Sequence, residues 1–88
     1  MTNEALEPIV RELLSAKYER KLPPNLFAET PPEREKLKKR YREIFIDTMD
    51  EFKDDAEGDL NKMAGFIASS INEMISEEAL APCPEDWN

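Results

Sequence analysis

Apolar residues recur at spacings of three and four in three separate stretches of the chain. In the first, Leu6, Ile9, Val10, Leu13, Leu14 and Tyr18 share one helical stripe, which predicts a helix over residues 5–21. Pro8 lacks an amide hydrogen and fits best in a first turn. The helix is therefore expected to begin near Ala5 or Leu6, with Glu4 and Glu7 at its positive end. Pro23 and Pro24 are expected to stop it. In the second stretch, Leu37, Tyr41, Ile44, Phe45, Thr48, Met49 and Phe52 line one side of a helix expected over 31–57, about 40 Å long. Its start reads clearly: Thr30-Pro31-Pro32-Glu33 is a capping box with proline at the first helical position. The third stripe, Leu60, Met63, Ala64, Ile67, Ile71, Met74 and Ile75, predicts a helix over 59–79, with Gly58 ending the helix before it and Asp59 as its cap.

Residues 22–30 form a proline-rich connection whose Leu26 and Phe27 are apolar enough to plug one end of a core, and 80–88 form an irregular tail. No alternating β-branched run appears, so the expected fold is all-α. The predicted architecture is one small helical bundle, residues 1–88, with a short N-terminal helix packed on a long antiparallel αα-hairpin. The competing arrangement is one continuous helix bent through Gly58, at about 1 kcal/mol relative to alanine there.

Length and composition narrow the chemistry. The chain has 88 residues, no His and one Cys, Cys83. Without imidazole, Ser-His-Asp and Cys-His nucleophiles and His-ligated zinc are excluded, and one thiol excludes an internal disulfide. Cys83 lies between Pro82 and Pro84 near Glu85 and Asp86, which disfavour a thiolate, and is read as incidental. Gly58 and Gly65 open no phosphate-binding motif. An EF-hand reading of the segment around Gly58 fails, because Lys53 and Ala64 would occupy its first and twelfth positions. No cofactor, metal site or catalytic set is expected. The N-terminal residues carry no secretory pattern and no apolar run approaches the roughly 20 residues of a membrane span, so a cytoplasmic protein without membrane association is expected.

Charge changes the picture most. The net charge is -8, unevenly placed: residues 30–45 hold six basic and three acidic side chains, and residues 46–59 hold seven acidic side chains and one Lys. On one helix both blocks oppose the macrodipole, so local helix stability did not select them. Asp47, Asp50, Asp54 and Glu57 are expected to form a row opposite Phe45, Met49 and Phe52, with about 5–6 Å between neighbours. With Glu51 and Asp55 they make a candidate acidic face for a basic protein partner. Such acidity disfavours direct nucleic-acid binding. The basic block, Arg34, Lys36, Lys38, Lys39, Arg40 and Arg42 with Tyr41 for stacking, is a candidate anion site or simply a set of solvated cations. Ile46 and Phe66 lie off their stripes and are candidates for an oligomer or partner interface, with Trp87 as a tail anchor.

These features predict a non-enzymatic protein that binds another protein. By analogy of size and charge alone, it would be a stoichiometric inhibitor of the anti-defence, immunity or antitoxin kind, covering a basic, nucleic-acid-handling surface. The alternatives are a self-associating scaffold or adaptor, and an oligomer that sequesters a small anionic nucleotide.

Overall fold

A computed structural model describes residues 2–28 and 32–80, without the side chains of Glu33 and Arg34. The Thr30–Glu33 capping box, the Arg34 side chain, Cys83 and Trp87 lie outside the described residues. Three helices follow one another: α1 (Asn3–Tyr18), α2 (Pro32–Glu51) and α3 (Leu60–Glu78). No strand occurs among the described residues. The protein is an all-α small bundle in which α3 packs against both α1 and α2.

α1 starts earlier than Pro8 predicts. The Thr2 hydroxyl accepts the Ala5 amide hydrogen at 3.1 Å, and the Thr2 carbonyl accepts that of Leu6 at 3.1 Å. A cap of this kind is worth about 1 kcal/mol, which helps the helix tolerate Pro8 inside it rather than in its first turn. Leu6, Val10 and Leu14 are its buried residues. The helix also ends earlier, at Tyr18, before the prolines can act. Glu19 takes a left-handed conformation (φ 53), and the Leu14 carbonyl accepts the amides of both Glu19 and Arg20.

That turn directs Leu22, Pro23 and Leu26 into the interior. The connection is tied to α1 through polar groups as well. Arg11 donates to the Leu22 carbonyl at 2.9 Å and to Glu7 at 2.7 Å, and the Leu26 amide donates to Glu7 at 3.4 Å. Phe27 meets Phe45 edge-on, with ring centroids 5.3 Å apart. Leu26 and Phe27 thus close the core, as expected of them.

α2 buries Tyr41, Ile44, Phe45 and Thr48 but stops at Glu51, not at residue 57. Glu51, Asp54 and Asp55 would crowd the negative end of a longer helix with Lys53 alone to offset them, and α2 itself has no basic residue in its last turn. The chain instead folds through turns over residues 52–58. Ala56 is buried there, and Phe52 stacks on Phe66 of α3 at 4.6 Å. Glu57 (φ 52) and Gly58 (φ 77) end this segment in left-handed conformations.

Asp59 then caps α3, its carboxylate accepting the amides of Asn61 at 2.9 Å and Lys62 at 3.3 Å. A cap there is incompatible with the continuous bent helix. α3 buries Met63, Ala64, Ile67, Ala68, Ile71 and Ile75. Beyond it Ala79 is left-handed (φ 51), and the Leu80 amide closes back on the Ile75 carbonyl at 3.2 Å.

Left-handed backbone costs a residue with a Cβ about 1 kcal/mol relative to glycine. Ala79→Gly is therefore expected to raise Tm by roughly 4–8 °C. Gly58→Ala should lower Tm by a similar amount, although nothing lies within 4 Å of the added methyl. Thermal unfolding followed by circular dichroism checks both signs.

Candidate functional site

The acidic block divides between two elements. Asp47, Asp50 and Glu51 lie on the final turns of α2, on positions that Phe45 and Thr48 leave facing outward; Asp54, Asp55 and Glu57 lie on the turn that follows. All six are exposed. Because α2 ends at Glu51, the evenly spaced row from Asp47 to Glu57 expected of a continuous helix does not form. The carboxylates cover the end of a helix and a folded turn instead. Lys53 approaches Asp50 at 3.9 Å and Lys62 approaches Glu57 at 3.8 Å, both between exposed side chains. Such pairs neutralise little. Among the described residues no three carboxylates or thiols converge as metal ligands.

The basic block has a different fate. Lys38 is 2% exposed and donates to the Ala28 carbonyl at 2.7 Å. Burial lowers the pKa of its amine. Tyr41 is 1% exposed, so its ring belongs to the core rather than to a stacking platform. Arg42 donates to the Leu26 carbonyl at 3.2 Å and to Glu35 at 2.7 Å, and this hydrogen bond holds the Glu35 carboxyl below its usual value. Arg40 forks onto Glu78, with Nη2 to Oε2 at 2.7 Å and Nε to Oε1 at 3.1 Å, which raises its pKa further. It also reaches Glu43 at 3.4 Å. Lys36 and Lys39 are exposed. The described cations of the candidate anion site are thus divided among two loop carbonyls, three intramolecular carboxylates and solvent.

Ile46 and Phe66 separate in the same way. Ile46 is the exposed large hydrophobic residue among those described, at 45%. Phe66 is half-buried because Phe52, which sequence assigned wholly to the core stripe, stacks over it. Ile46 instead lines an open groove of about 570 Å³ with Met49 and Met63, edged by Asn3, Asp50 and Lys53. By periodicity Met49 and Met63 belong to the core stripes, and buried Met63 forms the groove's floor. The signal for the groove is Ile46 and Met49, spaced i and i+3 on α2 beside the buried stripe.

The lowered Lys38 pKa has a pH consequence of definite sign. The folded chain releases this proton at lower pH than the unfolded chain, whose amine titrates near 10.5. As pH rises from 7 toward 10, wild type should gain stability relative to Lys38→Met. Denaturant midpoints of the pair at several pH values measure this, with other titrations cancelling in the difference; a flat difference would mean the amine is not desolvated.

Compared with known proteins, the chain matches no family model, no curated protein and no solved structure.

Proposed function

We propose that this chain is a non-enzymatic protein-binding protein whose acidic end docks on the basic, nucleic-acid-handling surface of a partner and blocks it stoichiometrically. One contrast carries the reading. Arg40 and Arg42 of the basic block are paired with carboxylates and Lys38 is buried, while Asp47, Asp50, Glu51, Asp54, Asp55 and Glu57 face outward with two long, exposed ion pairs among the described residues. The field the molecule offers at this end is negative, and a field of that kind steers a basic partner into contact. Arg40, Arg42, Lys38 and Tyr41 are engaged or buried, which gives the nucleotide-sequestering alternative little support. Exposed Ile46 supports self-association as the second reading.

The test is affinity capture with wild type and with Asp47→Lys, Asp50→Lys, Asp54→Lys combined. Wild type should retain basic, nucleic-acid-binding proteins at about 0.1 M salt and release them near 1 M, where the screening length falls to about 3 Å. The added chain should abolish nucleic-acid binding by the purified partner at equimolar ratio. Association with the triple variant should be at least about tenfold slower. Retention of the same proteins by the triple variant would sink the reading.

A further inference from the structure

We infer that the groove formed by Ile46, Met49 and Met63 seats the apolar face of a basic amphipathic helix supplied by the partner protein. The inference rests on the acidic-face reading above and names what that face grips. Three observations on one surface carry it. Ile46 is 45% exposed and stands beside half-buried Met49, an unbranched, polarisable side chain that adapts to a foreign apolar surface, over a floor formed by buried Met63. The groove is open rather than enclosed, so it cannot surround a small ligand as binding pockets do, but it can receive a row of side chains. Asp50 lies on its edge, and the exposed Asp47, Glu51 and Asp54 are close to it in sequence on the same helix end and turn.

Helix-in-groove recognition reads apolar anchors at i, i+3, i+4 and i+7. A helix with Lys or Arg flanking such anchors sets its cations at about 5–6 Å intervals, within reach of carboxylates beside the groove. Lys53 is the cation on the groove's edge, and Asp50 approaches it at 3.9 Å. Charge argues against a second copy of this chain as the occupant. A second copy would bring a like-charged rim, and its Arg40 and Arg42 are already bonded to Glu78 and Glu35. A neutral apolar segment would draw nothing from the field of the exposed Asp47, Asp50, Glu51 and Asp54.

The experiment uses the full chain and two synthetic peptides of identical Leu and Lys composition, each about 18 residues or five helical turns. One gathers its leucines on a single helical stripe; the other disperses them. Affinity is read by titration calorimetry, and the site by methyl NMR shifts of Ile46, Met49 and Met63. The striped peptide should bind about tenfold or more tightly than the dispersed one, as burial of large side chains requires. Ile46→Glu, at an exposed position, should erase that preference while keeping the helical circular dichroism. Asp47→Asn, Asp50→Asn, Asp54→Asn combined should weaken both peptides alike. Equal affinity of the two peptides, indifferent to Ile46→Glu but lost on carboxylate neutralisation, would overturn the groove and leave the acidic face standing. Binding of neither peptide would overturn both. A striped preference that persists unchanged after neutralisation would overturn the basic occupant. Concentration-dependent dimers of the chain alone, dispersed by Ile46→Glu, would assign the groove to a second copy and overturn the inference.

Discussion

α1 and α2 have no shared helix interface among the described residues; each packs on α3. That constraint shapes the molecule. α3 must be apolar on two flanks at once, and its buried positions from Met63 to Ile75 spread over an arc of about 140° at 100° per residue. Ala64 and Ala68 are buried with the larger isoleucines, and side chains at a contact set how closely helices approach. The flanking helices need only narrow apolar stripes, which leaves most of α2 free to carry charge.

Charged side chains then hold what hydrophobic packing does not. The connection between α1 and α2 has carbonyls without a helical ladder, and buried carbonyls must find donors. Arg11 reaches the Leu22 carbonyl, Arg42 that of Leu26, and Lys38 that of Ala28. Cations from both flanking helices thus meet on one irregular segment. Because the basic block is partly spent on the fold, the acidic block dominates the end of α2 and its turn. The two halves of the charge pattern have different destinations: one structural, one outward.

Periodicity made the three helices legible, along with nearly all of the core. The errors fall where a long-range contact decides a local outcome. The helical pattern runs on through Phe52 to Ala56, yet Phe52 is needed on Phe66 and Ala56 inside, which a turn satisfies. Pro8 drew the start of α1 too late because Thr2, a short side chain six residues earlier, caps the helix. Lys38 resembled its solvated neighbours, since nothing local reveals that the Ala28 carbonyl will lie 2.7 Å from its amine. Ile46 was visible as an off-stripe residue, but the groove beside it depends on Met63 arriving from α3.

Toward its C-terminal end α3 is tied to the rest of the chain by Arg20, which donates to Asn72 and Ser76, and by the ion pair of Arg40 with Glu78. Toward its N-terminal end α3 is held by the Phe52–Phe66 stack and by apolar burial. These two kinds of contact respond to different variables. Salt screens the ionic links and also relieves the mutual repulsion of the acidic turn, whereas cooling weakens the apolar contacts. Ionic strength therefore acts on the two ends of the same helix in opposite senses, loosening the Arg40–Glu78 pair at one and relieving the acidic turn at the other. Which end opens first is set by the solution, not by one fixed weak point in the fold.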